Sequence, residues 1–298
     1  MRGGPDAYED SLKTGNYVLS LLHAMPDEYE ASDIFVSKTG DWHCAGLVED
    51  AHKILDRTDV VWNALHGQYG ESGEVQKLFE GLQVPHTGSG AAASAFAHNK
   101  EMAKTLYRTH GLLTPASTAL HRDDVTDEAL ISMFRSYLHP VIVKPATGVR
   151  GVGVAIAYSF QELKDALARC FCYSPKVLVE EYVAGTVVST TVLERAKGED
   201  LYALLPTHIE TEYRRVRPRP EQNREVERAA REAHRALGLR HYSSTDCIIT
   251  PRGKVYVLET NSNPVFHADS LLQRSLEASG WQPQEFVQHS LNLARGLI

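Results

Sequence analysis

Three oxygen-bearing side chains near the carboxyl end have the types and spacing of a metal site. Asp246 belongs to one apolar strand-like run, and Glu259 and Asn261 close the next run, after a Pro-Arg-Gly turn at 251–253. A hairpin of this kind brings the three side chains to one edge of a sheet. Two carboxylates and an amide oxygen suit Mg²⁺ that bridges nucleotide phosphates. The alternative is that they are polar strand-end residues facing water.

A lysine followed by glycines predicts a phosphate contact. Lys144 ends an apolar strand, and a turn containing Arg150 and Gly151 leads into another strand. Backbone N–H groups in such a turn cradle phosphate, and the lysine offsets its charge. No G-K-[ST] follows the glycines, so this is not a Walker loop. An ordinary β-hairpin explains the segment about equally well.

Two further segments are candidates for binding. The run Val-Leu-Val before Glu180 is followed by Glu181 and Val183, which would give an adenine slot an acceptor, backbone groups and apolar walls. A strand ending at the surface is the alternative. Lys100 opens a helical stretch and by itself is most simply a solvated lysine. His66 lies in a glycine-rich loop after a buried strand, where it either contacts a substrate or holds the loop in place.

The composition excludes several classes of protein. The 298 residues carry a formal charge of -7, which argues against a nucleic-acid-binding face. No segment approaches the roughly 20 apolar residues of a membrane span. The four cysteines form no C-x-x-C pair, so neither zinc nor a redox couple is indicated. We therefore expect a cytoplasmic enzyme with reduced cysteines and neither nucleic acid nor membrane as partner.

The order of predicted elements indicates an α/β protein of three parts. Alternating strands and helices predict a small doubly wound domain over 1–98. A long helix over 91–110 begins a second, α+β unit over 99–183. The remaining residues, 184–298, are predicted to form a sheet with two flanking helices, and they carry the candidate metal site.

These motifs together resemble one family. In chain order they are N-A-L-H-G-Q-Y-G-E-S-G at 63–73, T-G-S-G at 87–90, N-K at 99–100, V-I-V-K-P at 141–145, V-L-V-E-E at 177–181, Asp246, and E-T-N-S-N-P at 259–264. The series resembles the D-alanine–D-alanine ligases of the ATP-grasp superfamily and spans almost the whole chain. The resemblance implies three domains, with ATP held between the central and carboxyl-terminal ones.

The resemblance also implies a role for each matching residue. The implied roles are phosphate contacts for Lys100 and Lys144, phosphate-loop positions for Arg150 and Gly151, adenine contacts for Glu180, Glu181 and Val183, Mg²⁺ ligation (or Mn²⁺) for Asp246, Glu259 and Asn261, the second substrate's carboxylate for Ser270 and Leu271, and a place near the substrates for His66.

The implied reaction joins two small amino acids in peptidoglycan precursor synthesis, in the cytoplasm and as a homodimer. One carboxylate attacks the γ-phosphate of ATP, and the amine of the second amino acid then displaces phosphate from the acylphosphate. Transition-state charge would be balanced by positioned cations.

The chain departs from the family pattern where the acylphosphate is managed. Ser244 stands where the family has an arginine, and Arg150 and Gly151 replace a Ser-Ser pair. The interval 206–222 is too short for the closing loop with its Lys-Tyr pair. Two alternatives to the dipeptide ligase follow: an impaired homologue that binds Mg-ATP in a regulatory role, or a carboxylate–amine ligase for a larger substrate.

Overall fold

The computed structural model describes residues 1–148, 151–209 and 219–298, whose strands form three sheets. The amino-terminal elements are β1 (Arg2–Gly3), α1 (Tyr8–His23), β2 (Ile34–Val36), β3 (Trp42–Cys44), β4 (Leu47–Val48), α2 (Ala51–Asp56), α3 (Gln68–Glu71), α4 (Glu74–Gly81) and α5 (Ala91–His98). The central elements are α6 (Lys100–Thr109), β5 (Ser117–His121), α7 (Asp127–Ser136), β6 (Val141–Pro145), β7 (Ala155–Ala157), α8 (Phe160–Cys170) and β8 (Lys176–Glu181). The carboxyl-terminal elements are β9 (Thr186–Ala196), β10 (Glu199–Ala203), β11 (Thr207–His208), α9 (Pro220–Ala236), β12 (Tyr242–Ile249), β13 (Val255–Asn261), α10 (Leu271–Ala278) and α11 (Pro283–Ala294).

The first sheet is mixed, with one parallel pair and two antiparallel pairs among its named strands. Its order is β1-β2-β3-β4, and only β1 and β2 are parallel. The links from β2 to β3 and from β3 to β4 are too short for a crossover, so these strands pair antiparallel. The predicted strand at 59–63 contributes a parallel bridge between Val61 and His86, and Trp62 O accepts from the Met1 amino group.

The predicted long helix over 91–110 is two helices. Asn99, between α5 and α6, has an extended conformation (φ −90°, ψ 101°). Its side-chain oxygen accepts hydrogen bonds from the backbone N–H groups of Glu101 and Met102, both at 3.1 Å. An asparagine that caps in this way satisfies donors at a helix start. The break places Lys100 in the first turn of α6.

The central sheet is antiparallel throughout, in the order β5-β8-β6-β7. Helix α8 begins after Ser159, whose side chain accepts from Glu162 N at 3.2 Å. It buries Leu163, Ala166 and Leu167 against the sheet, at the three- and four-residue spacing of one helix face. The opposite face of the sheet is left to the site described below.

The carboxyl-terminal sheet has the order β10-β9-β12-β13, with β11 also on β9, and all these pairs are antiparallel. Helix α9 lies on it with a face of small side chains: Val226, Ala229, Ala230 and Ala233. The predicted hairpin turn is confirmed, since Gly253 N donates to Thr250 O at 2.8 Å.

One aromatic core joins the two ends of the chain. Phe286 packs edge-on against Phe266 (4.9 Å between centroids), Tyr242 (5.4 Å) and Trp62 (5.9 Å). Val18 of α1 belongs to the same buried cluster. Edge-to-face rings in a core add about 0.5–1.5 kcal/mol per pair beyond the area they bury. The amino-terminal segment is therefore anchored to the sheet that carries Asp246.

The four cysteines are unpaired. No helix within the described ranges is both long and apolar enough to cross a membrane.

We predict that Asn99→Ala lowers the free energy of unfolding by about 1 kcal/mol, because two N–H groups of α6 lose their acceptor. Chemical denaturation measures the loss. Asn99→Ser, which retains a capping oxygen, is the matched control and should keep most of the stability. Equal losses in both variants would contradict the capping role.

Candidate active site

The hairpin of β12 and β13 brings the three predicted metal ligands together. Asp246 pairs directly with Glu259, and Asn261 lies opposite Ser244. A β-bulge follows Asp246, so that Cys247 pairs with Val257 and Leu258 is the additional residue. A bulge changes the direction of the neighbouring side chains. The consecutive residues Leu258 and Glu259 consequently line the same cavity.

The crowded carboxylates affect each other. Burial and the neighbouring Glu259 raise the pKa of the Asp246 carboxyl from 3.8 to about 7, against a hydrogen bond from Ser189 that lowers it. Two carboxylates facing each other across a hairpin disfavour full ionisation in the absence of a cation. A divalent cation between the two carboxylates would relieve this repulsion.

A cavity of about 250 Å³ lies between the central and carboxyl-terminal sheets. Its apolar lining includes Ile142, Val154, Tyr182, Val183, Ile248 and Leu258. Its charged lining is Lys100, Lys144, Glu180, Glu181, Asp246 and Glu259. Thus seven of the sequence-predicted residues, together with Gly151, meet around one space. A flat apolar slot with cations and carboxylates at its rim suits a nucleotide.

Glu180 is buried between two lysines. Its Oε1 lies 3.0 Å from Lys144 Nζ and 3.1 Å from Lys104 Nζ, and its side chain is 2% exposed. Neither approach is aligned as a hydrogen bond at Oε1, so these are ion pairs by distance. Glu181 is held differently, because its Oε1 accepts from Ala116 N at 2.8 Å.

Lys100 stands between two cavities. Its Nζ donates to Gly148 O at 2.6 Å and lies 3.6 Å from Glu259 Oε2. It lines both the larger cavity and an adjoining one of about 80 Å³. The smaller cavity is lined also by Glu71, His98, Glu259, Asn261 and Val265, among others. Because Lys100 borders both spaces, one ammonium can balance charge in either.

His66 lies behind the smaller cavity and does not line it. Its side chain is 1% exposed, with Nε2 2.8 Å from Thr14 Oγ1 and Nδ1 3.4 Å from Glu71 Oε1. The loop turns back closely at Gly70, where a Cβ would lie 1.9 Å from Leu65 O. This arrangement corresponds to the loop-holding alternative. Its implied place near the substrates stays a prediction.

Ser270 is the N-cap residue of α10, and its hydroxyl is engaged in that role. Its Oγ accepts from Gln273 N at 3.1 Å and from His267 N at 3.2 Å, and the residue is 7% exposed. Leu271 is half-buried. Neither residue is among those lining the two cavities described above. Their contact with a substrate carboxylate stays a prediction.

Ser244 supplies a hydroxyl at the position where the resembled family has an arginine. Its Oγ lies 2.6 Å from Thr191 Oγ1 on the neighbouring strand β9. Arg150 and the segment 210–218, which holds Tyr213 and Arg214, fall outside the described residues.

Sequence reasoning did not assign three residues of this region. Lys104 lies one helical turn after Lys100, and that spacing was the available signal. Glu71 sits within the glycine loop and lines the smaller cavity. His98, whose Nε2 lies 2.8 Å from Gln68 Oε1, also lines it, and burial lowers its pKa.

Two sheets that enclose a nucleotide-sized cavity between lysines and paired carboxylates have the ATP-grasp fold. A sequence profile described as D-ala D-ala ligase C-terminus matches residues 106–292. The chain belongs to the D-alanine–D-alanine ligase family, whose members are ATP-dependent ligases.

Individual relatives match this chain over nearly its full length. The chain is 32% identical to the D-alanine–D-alanine ligase of Geobacter sulfurreducens, over 98% of this chain and 92% of that one. The VanG D-Ala:D-Ser ligase of Enterococcus faecalis has the same fold, with a TM-score of 0.87 at 22% identity over 98% and 97% of the two chains. The ATP-complexed D-alanine–D-alanine ligase of Bacillus anthracis gives a TM-score of 0.81 at 23% identity, over 99% and 95%. The names favour a ligase over an impaired regulatory homologue.

We predict that Glu259→Gln lowers the pKa of Asp246, because the like charge opposite it is removed. A carboxyl NMR titration without divalent cations measures this, and the midpoint should move down from about 7 towards 3.8. Glu232→Gln, a change on α9, is the control and should leave the midpoint in place. An unchanged midpoint in Glu259→Gln would contradict the coupling.

Proposed function

We propose that this protein uses ATP to join two D-amino acids, with D-alanine as the first, through an acylphosphate. The observation that carries the proposal is the cavity in which Lys100, Lys144, Glu180, Asp246 and Glu259 converge. The names of the relatives supply the amino-acid substrates. The homodimer and the cytoplasmic location stay predictions.

The nucleotide is proposed to lie with its base towards the apolar walls and its phosphates towards the lysines. Tyr182 and Val183 follow β8 at the edge of the cavity, where backbone groups and apolar surface meet. Lys144 and Lys100 are the ammonium groups that the described part of the chain presents to the cavity. Charge-assisted contacts from lysine to phosphate are among the stronger hydrogen bonds.

The residues at the hairpin fit a divalent cation. Asp246 and Glu259 face each other, and burial together with the neighbouring Glu259 raises the pKa of Asp246. Asn261 Oδ1 accepts from Asn263 N at 2.8 Å and retains a second lone pair. We propose that these three side chains hold Mg²⁺, or Mn²⁺ in its place. When bound, the ion would offset phosphate charge during transfer.

The amino acids are proposed to occupy the smaller cavity, beside the phosphate end. The carboxylate of the first attacks the γ-phosphate, which forms a C–O–P bond and releases ADP. The amine of the second then attacks the carbonyl carbon, loses a proton and expels inorganic phosphate. Lys100 borders both cavities and is the cation placed to balance negative charge in each step.

We expect purified protein with Mg-ATP to release phosphate when D-alanine is supplied, and to form a dipeptide. Phosphate release and product mass spectrometry measure the two events, with D-alanine alone and with D-alanine plus D-serine. L-alanine is the matched control substrate. Absence of stimulation by any D-amino-acid pair, in protein that binds Mg-ATP, would contradict the proposal.

We predict that Lys144→Met raises the KM for ATP by roughly 10- to 100-fold, because a charge-assisted contact to phosphate is lost. Steady-state kinetics measure the change. Lys164→Met is the matched control, since Lys164 makes an exposed ion pair with Asp127 in the same region. A KM that moves equally in both variants would exclude the phosphate contact.

A further inference from the structure

Lys104 is a buried lysine that the proposed reaction does not use. Its side chain is 1% exposed, and its Nζ donates to Thr114 Oγ1 and Pro115 O, both at 2.9 Å. Glu180 Oε1, at 3.1 Å, is its ion-pair partner. It is not among the residues that line the cavity of about 250 Å³. Any effect of Lys104 on a ligand therefore passes through another residue.

The ammonium of Lys104 is costly to bury. Burial lowers its pKa to about 8, although Glu180 opposes that shift. An apolar side chain of similar length would fill the same space without desolvating a charge. The packing of α6 against β8 alone therefore does not require a lysine here, and an electrostatic role accounts for it.

The charge that Lys104 balances belongs to Glu180. Two ammonium groups, at 3.0 and 3.1 Å from one oxygen, offset the negative charge of this buried carboxylate. Without Lys104, Lys144 would be the one counter-ion left within the described part of the chain. Its ammonium would then be drawn towards Glu180 and away from the cavity that it also lines.

The geometry leaves one oxygen of Glu180 for a ligand. Oε1 meets both lysines, while Glu180 is part of the cavity wall. The other oxygen, Oε2, is thus the one available to a bound base. An ionised carboxylate accepts hydrogen bonds and donates none. It attracts a base with an exocyclic amine, such as adenine, and repels one with a carbonyl there, such as guanine.

We propose that Lys104 is a positioning residue for base selection: it offsets the charge of the buried Glu180 acceptor and leaves Lys144 free to face the phosphates. The proposal rests on the proposed function, because it requires the nucleotide to occupy this cavity. It adds a residue that touches neither base nor phosphate.

Calorimetric Kd values for Mg-ATP and Mg-GTP test this on the full chain. The four proteins are the wild type, Lys104→Met, Glu180→Gln and the double variant. The wild type should prefer ATP, and Lys104→Met should reduce the ATP-to-GTP preference about tenfold, as expected for one hydrogen bond to a charged group. The double variant should show no loss beyond Glu180→Gln, since Lys104 acts through that carboxylate.

Two further variants separate base selection from folding. Lys176→Met removes an exposed lysine that pairs with Glu101 between the same two elements, β8 and α6, and should leave the preference unchanged. Lys104→Gln keeps an amide donor for Thr114 and Pro115 without the charge. Lys104→Gln should also lose the ATP-to-GTP preference. It replaces Lys104→Met in the test if thermal unfolding shows that Lys104→Met does not fold.

An unchanged ATP-to-GTP preference in folded Lys104 variants overturns this inference alone, provided that the wild type binds Mg-ATP. If Lys104→Met reduces the preference equally in the wild-type and the Glu180→Gln backgrounds, the inference is also overturned, because the two residues would then act independently. A wild type that binds no Mg-ATP overturns the proposed function and this inference together.

Discussion

The site depends on two carboxylates held opposite each other across a hairpin. Asp246 and Glu259 are direct cross-strand partners, and burial together with their mutual repulsion raises the pKa of Asp246. A folded chain retains such a pair only where surrounding packing enforces it. Here the hairpin is the edge of a sheet covered by α9 and by the aromatic core around Phe286. The rigid hairpin thus concentrates negative charge beside a cavity of nucleotide size.

The opposite wall of the cavity uses the opposite arrangement. Glu180 is a single carboxylate between two ammonium groups, so its charge is offset on this side. Lys100 lies between the two walls and contacts Glu259 at 3.6 Å. Cations on one side and carboxylates on the other are the complement of a polyphosphate chelating a metal ion. Electrostatic order across the cavity, rather than any single residue, makes the site suitable for ATP.

Segments that are distant along the chain position the charged groups of the site. The glycine loop that contains His66 packs on α1 and contributes Glu71 to the smaller cavity. Asn99 ends α5 and starts α6, which places Lys100 at the junction of both cavities. Capping, loop packing and hairpin register are local devices, yet each positions one charged group of the site. Ser244, paired with Thr191, is the place where this chain substitutes a neutral group.

The sequence by itself determined the family, the apolar strands and most of the charged residues of the larger cavity. Period-two apolar runs and glycine punctuation are local signals, so the hairpin that brings Asp246 and Glu259 to one edge could be predicted from spacing. The bulge that makes them direct partners could not. Tertiary structure decided what depends on contacts between distant residues. The sequence assigned no role to Lys104, which is buried beside Thr114 and beside Glu180 of the distant strand β8. Likewise, the His66 ring is hydrogen-bonded to Thr14, and the Ser270 hydroxyl caps the start of α10. Burial and partner choice are set by packing, and no local pattern encodes them.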